Sequence, residues 1–152
     1  MNVIDQPVPA PSLESLLAAG WESADTRGFI ELVGPILYRD DDDKLRLGFL
    51  SAAKHENRRG VVQGGMIATF CDRSLAMAAR RANNDLPQAT IELSIRYIDA
   101  VRLGEFVEIV PEVVRKTRSI IFVRGTVTVG NRLVATADGI WKVLAQQQPD
   151  NG

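Results

Sequence analysis

Residues 64–82, Gly64-Gly65-Met66-Ile67-Ala68-Thr69-Phe70-Cys71-Asp72-Arg73-Ser74-Leu75-Ala76-Met77-Ala78-Ala79-Arg80-Arg81-Ala82, decide the fold. Met66, Ile67, Phe70, Cys71, Leu75 and Met77 are separated mainly by alanines, the best helix formers, and they fall on nearly every face of a helix. Such a helix is expected to be buried, with the rest of the chain wrapped round it. Asn83, Asn84 and Asp85 end it, and Pro87 opposes its continuation. One residue conflicts with this composition. Asp72 is a poor helix-interior residue in apolar surroundings, so its carboxylate should be paired, for example with Arg73, or should do chemistry.

Beyond Pro87 the apolar period changes from helical to two. Ile91, Leu93, Ile95 and Tyr97 read as one face of a strand, and Thr90, Glu92, Ser94 and Arg96 as the other. Three more β-like runs follow, Phe106 to Val114, Ile120 to Val129 and Leu133 to Leu144, with Gly130-Asn131 as a two-residue hairpin turn between the last two. Pro111 inside a run predicts an edge, bulge or bend, because proline cannot donate to a ladder. Before the helix, Phe29 to Tyr38 is rich in β-formers, Asp40 to Asp43 supplies a polar turn, and Leu45, Leu47 and Phe49 alternate, which predicts a hairpin. The four aspartates lack the glycine and glutamate positions of a calcium loop and read as a solvated turn. Residues 1–20 read as a proline-rich arm and a short helix, 21–145 as one domain, and 146–152 as a frayed tail. The class is α+β, an antiparallel sheet of about six strands wrapped round a long central helix.

The composition narrows the function. With 152 residues, 45% hydrophobic and 24% charged, the chain fits one ordinary globular domain. Eighteen Lys plus Arg against nineteen Asp plus Glu leave a formal charge of -1, without the positive excess that draws in nucleic acid or anionic lipid. No apolar run approaches a membrane-spanning length, and Met1 to Glu14 lacks the basic start and apolar stretch of a signal peptide, so a cytoplasmic location is expected. A single cysteine, Cys71, excludes an internal disulfide, and a single histidine, His55, excludes a metal site built on several His or Cys ligands.

The chemistry is concentrated where the helix begins. His55-Glu56-Asn57-Arg58-Arg59-Gly60-Val61-Val62-Gln63-Gly64-Gly65, followed by Asp72, resembles the signature of the hotdog-fold thioesterases, in particular the PaaI-like (phenylacetic-acid-degradation) branch. That pattern runs Asn, Gly, His-Gly-Gly and then an acid on the central helix. The likeness extends from about Leu45 to Leu144 and takes in Ile95-Arg96-Tyr97 and Leu103-Gly104-Glu105. It implies a hotdog fold and an acyl-coenzyme A thioesterase. In that family the acid, here Asp72, either activates water as a general base or attacks the thioester to form a transient anhydride.

The physical chemistry of Gly64 fits the same expectation. A glycine at a helix N-terminus lets substrate approach the backbone, and its unpaired N–H, helped by the helix dipole, suits a developing oxyanion. By resemblance, Asn57 helps hold the thioester or its loop, and Thr90 lies near the acid, where its hydroxyl orients the attacking water. Each also has a plain structural reading, Asn57 as a turn residue, Thr90 as a strand start and Gly64-Gly65 as a tight entry. Gln63 departs from the pattern, standing where the family usually has histidine. Its amide can donate a hydrogen bond but cannot transfer a proton near neutral pH, so its role there is polarising or orienting.

His55 is off the family's histidine position and reads as an exposed loop residue, and Cys71 reads as packing. Met66, Phe70, Leu75 and Tyr97 read as core before they read as acyl pocket. For the phosphates of coenzyme A, the turn Arg115-Lys116-Thr117-Arg118 offers three cations, Arg115, Lys116 and Arg118, while Arg58-Arg59 read as solvated surface. No metal or separate cofactor is expected, since coenzyme A is part of the substrate. The resemblance also implies a homodimer or dimer of dimers with interface active sites, where Asn57 and Gly64 of one protomer face Asp72 and Thr90 of another. Two other readings stay open: an acyl-coenzyme A-binding protein without turnover, favoured by Gln63, and a hydratase or dehydratase, which the misplaced histidine disfavours.

Overall fold

A computed structural model describes residues 10–23 and 27–145; the proline-rich start of the arm and the tail from residue 146 lie outside them. In chain order the elements are α1 (Leu13–Ala18), β1 (Glu22–Ser23), α2 (Phe29–Val33), β2 (Leu37–Asp41), β3 (Lys44–Leu50), α3 (Gly64–Ala82), β4 (Gln88–Tyr97), β5 (Phe106–Lys116), β6 (Ile120–Val129) and β7 (Arg132–Val143). The strands form one antiparallel sheet in the order β1-β2-β3-β5-β6-β7-β4. It curls round α3 in the hotdog arrangement, and the seventh strand beyond the expected six is the two-residue β1. No helix among the described residues is long and apolar enough to cross a membrane.

Alternation along the strands builds the core. Leu47 and Phe49 of β3, Val107 and Ile109 of β5, Ile121, Val123 and Val127 of β6, and Ala135, Ala137 and Trp141 of β7 are buried against Phe70, Cys71 and Leu75 of α3. Each large apolar side chain closed off in this way contributes roughly 1.5–3 kcal/mol relative to exposure. Phe70 is completely buried and packs edge-on against Phe49, with ring centroids 4.9 Å apart. The Gly130-Asn131 turn joins β6 to β7 as expected, with Gly130 at φ 56°. Pro111 follows the last β3–β5 pair, Leu47 with Ile109, so its missing N–H faces no ladder on that side.

Two expectations are corrected, and a third gains detail. Phe29–Val33 forms the short helix α2, and only Leu37–Asp41 is strand. β-propensity expresses a fit to a half-buried sheet face, and Phe29 and Leu32 have no such face here, being largely exposed. The aspartate turn is solvated as expected, with Asp40, Asp42 and Asp43 exposed, but it is not without partners: Asp40 pairs with Arg81 at 2.5 and 3.0 Å, and Asp41 with Arg39 at 2.8 Å. The guanidiniums hold both carboxyls below the usual range, and the Arg81 bridge ties the β2–β3 hairpin to the last turn of α3.

The second correction concerns α3 itself. Its buried side chains are Met66, Ile67, Phe70, Cys71, Ser74, Leu75, Ala78 and Ala79, so its own chain covers most of the helix but not all of it. Gly65, Thr69, Asp72, Ala76 and Arg80 repeat at three- and four-residue steps and form a stripe that this protomer leaves at least partly open.

Candidate active site

The strand beside α3 places Asp72. In β4 the pairing steps from Thr90 with Trp141 to Glu92 with Ile140, so Ile91 is an extra residue, a β-bulge, and it is 55% exposed. A bulge shifts the alternation by one. Thr90 therefore lies on the same face as Leu93, Ile95 and Tyr97, opposite to what unbroken alternation predicts. There its hydroxyl donates to Asp72 Oδ1 at 2.8 Å, and two residues earlier Gln88 Nε2 donates to the Ala76 carbonyl at 2.8 Å. Asp72 is half-buried and makes no ion pair among the described residues; Arg73, the plain structural partner, does not reach it. Neighbours on a helix point about 100° apart, which separates the two side chains.

The N-terminus of α3 is the second part. Gln63 is the N-cap, with φ −60° and ψ 133°, and makes no side-chain cap bond. Its carbonyl accepts from Met66 at 2.9 Å, leaving the N–H groups of Gly64 and Gly65 as first-turn donors without an intrahelical acceptor. The Gln63 side chain is exposed and makes no hydrogen bond among the described residues. Asn57 shapes the approach: its Oδ1 accepts from the Arg59 N–H at 2.8 Å and, less directly, from Val61 at 3.4 Å. The turn reading of Asn57 is thus realised through its oxygen, and Nδ2 is without a partner among the described residues. Glu56, Asn57, Arg58, Arg59 and Gln63 line an open cleft of about 430 Å³ beside this helix end.

His55 is not the exposed loop residue expected from sequence. It is 3% exposed, with Nε2 2.6 Å from the Val33 carbonyl and Nδ1 accepting from the Ala52 N–H at 3.0 Å. These contacts fix the neutral tautomer with its proton on Nε2 and pin the loop before Gly64 to α2. Burial pulls its pKa down, the hydrogen bond to Val33 opposes this, and Lys54 adds to the fall. The unfolded chain therefore binds a proton more readily than the folded one. The stabilisation is complete above the unfolded value near 6.5 and is lost as pH falls from there through the lowered folded value. Melting curves should show Tm dropping more steeply between pH 7 and 5 for wild type than for His55→Gln; equal slopes would remove His55 as the cause.

Cys71 is packing, as expected: burial, with Asp72 adding a smaller push, raises its thiol to about 12, far from a thiolate nucleophile. Of the three cations proposed for phosphates, Lys116 donates to the Ala82 carbonyl at 2.6 Å and so caps the C-terminus of α3, while Arg115 and Arg118 are exposed. A concavity of about 940 Å³ on the outer face of the sheet, lined by Arg46, Phe122, Arg124 and Asp138 among others, holds none of the candidate residues. Sequence reasoning missed the contact of Tyr97, whose hydroxyl donates to the Gly64 carbonyl at 3.0 Å. No local signal announces that contact, because it depends on how β4 crosses the start of α3.

A family model described as the thioesterase superfamily matches residues 59–136, half of the chain and the part that carries Gln63, Gly64, Asp72 and Thr90. The chain belongs to the thioesterase superfamily. It is a thioester hydrolase by class. This thioesterase is 30% identical over 115 residues to PA0474 of Pseudomonas aeruginosa, which carries an esterase name, covering 74% of this chain and 85% of that one. It is 28% identical to human acyl-coenzyme A thioesterase 13 over 69 residues, 45% of this chain and about half, 49%, of that protein. Among solved structures, a variant of the phenylacetic acid degradation protein PaaI of Thermus thermophilus superposes with a TM-score of 0.68 over 76% of this chain and 98% of that one, at 21% identity. The shared fold expected from the motif is thereby established.

Proposed function

We propose that this thioesterase hydrolyses acyl-coenzyme A to the free acid and coenzyme A, with Asp72 as base or nucleophile and the Gly64 N–H as oxyanion donor. The observation that carries the reading is Asp72 itself: a carboxylate on the open stripe of the central helix, held by the Thr90 hydroxyl and by no cation among the described residues. An acid placed only for stability would be expected to pair with a cation or to be covered. The thioester as the reacting group follows from the family, and acyl-coenzyme A from the name of the human relative. No resident cofactor enters the proposal.

The spacing along α3 favours a shared site. Gly64 and Asp72 are eight residues apart on one helix, or about 12 Å along its axis. One thioester carbonyl cannot sit within hydrogen-bond reach of the first and attacking distance of the second in the same protomer. The proposal therefore pairs the Gly64 end of one copy with Asp72 and Thr90 of another, and the half-open stripe of α3 is a surface such a pairing would close. Arg115 and Arg118 are proposed for the phosphates of coenzyme A, with Lys116 assigned to the helix cap.

The test is release of free coenzyme A from aryl, short-, medium- and long-chain thioesters, with molecular mass measured by light scattering on the same sample. Turnover by an oligomer supports the reading; turnover by a monomer would sink the shared site. Gln63 favours one second reading, a binding protein without turnover, because it cannot transfer a proton. Thermal stabilisation by a thioester, with no release of coenzyme A, would favour that reading instead.

A further inference from the structure

We propose that Tyr97 is a positioning residue for the oxyanion site: its hydroxyl holds and polarises the Gly64–Gly65 peptide, so that the Gly65 N–H donates to the thioester oxygen beside that of Gly64. The inference rests on the reading of the α3 N-terminus as the carbonyl-binding end. Three observations lead to it. Tyr97 Oη donates to the Gly64 carbonyl at 3.0 Å. The ring lies against Gly64, close enough that a β-carbon there would meet Tyr97 Cε1 at 3.5 Å and Cζ at 3.6 Å. Yet Tyr97 is 56% exposed, so a large part of it remains outside the core.

The carbonyl of residue 64 and the N–H of residue 65 belong to one planar peptide unit. A hydrogen bond received at its oxygen draws charge toward that oxygen and leaves the N–H a stronger donor, a cooperative gain of about 10–30% per bond. It also fixes the plane, and with it the direction of the N–H. This matters at a first-turn position, where Gly65 has no intrahelical acceptor and glycine leaves the backbone loosely held. Preorganised donors stabilise a developing oxyanion because they need not reorient as charge appears. Burial, with a smaller contribution from Cys71, raises the phenol pKa, so the hydroxyl stays protonated and remains a donor at working pH.

The placement is not isolated. β4 carries Thr90 against Asp72 and Tyr97 against Gly64, and the bulge at Ile91 puts both on one face. A single strand thus holds α3 at the acid and at the carbonyl-binding end.

Tyr97→Phe keeps the ring and removes only the hydrogen bond. In the protein without substrate, the Gly65 amide proton resonance should move upfield, because its peptide loses an acceptor-side bond. With substrate, kcat should fall about fivefold while KM stays within a factor of about two and Tm is unchanged. An unmoved Gly65 resonance with unaltered kcat overturns the inference. So does a fall in Tm with kcat and KM drifting together, which is what a packing role would give. If wild type releases no coenzyme A from any thioester, the reading of the site fails and this inference with it; an active wild type matched by Tyr97→Phe sinks this inference alone.

Discussion

Asp72→Asn should lower kcat by about 10²- to 10⁴-fold, the range lost when a positioned acid–base group is removed. Asparagine has nearly the same shape and keeps a side-chain oxygen to accept from Thr90, whose hydroxyl stands 2.8 Å from Oδ1 in the wild type. The half-buried site loses a charge that no cation among the described residues balances, so Tm should hold or rise slightly. A fall in activity with an unaltered melting curve and molecular mass assigns chemistry to Asp72; a variant within about threefold of wild type would leave it a structural residue. Two further measurements refine the result. Thr90→Ala should weaken the wild type but have little further effect on Asp72→Asn, because Thr90 acts through the carboxylate. Single turnover in ¹⁸O-water should place label only in the released acid if Asp72 is a base. Label in Asp72 would show an anhydride cleaved on the protein side.

What the sequence reveals and what it hides have separate physical causes. The apolar residues of 64–82 and the period-two runs after Pro87 are local patterns, and they predict the helix, the four later strands and the Gly130-Asn131 turn closely, but not that β4 pairs with β7 instead of its chain neighbour β5. The candidate site residues come from the resemblance to a motif, on which Asn57, Gln63, Gly64 and Asp72 fall at the matching spacings. Thr90 is marked by its position in that motif, while plain alternation puts it on the wrong face. The bulge at Ile91 depends on pairing with residues about fifty positions later, and no window of sequence contains it. His55 is hidden for a similar reason: its burial depends on the Val33 carbonyl, twenty-two residues earlier, in a segment whose β-formers fold as a helix. The open stripe on α3 is masked by its own composition. Alanine, threonine and glycine look like interior residues, yet at Gly65, Thr69 and Ala76 they lie where this chain supplies no complete cover.

Gly64→Pro should lower kcat by about 10²- to 10³-fold with little loss of stability, because it deletes the proposed oxyanion donor and almost nothing else. Proline is favoured at the first helical position, where its missing N–H would have had no helical partner. The residue before a proline must be extended, and Gln63 already is, with ψ 133°. Gly64 has no left-handed φ to preserve, and a β-carbon there would meet Tyr97 at 3.5 Å, an ordinary contact. Gly64→Ala is the matched control, adding the same β-carbon while keeping the N–H. If Ala retains most of the activity and Pro loses it, the backbone donor accounts for the difference, with Gly65 and the Tyr97 bond supporting what remains. If the two variants fall together, steric room rather than the N–H is what Gly64 provides. If neither falls, the carbonyl is held elsewhere, and the start of α3 is not the carbonyl-binding end of the site.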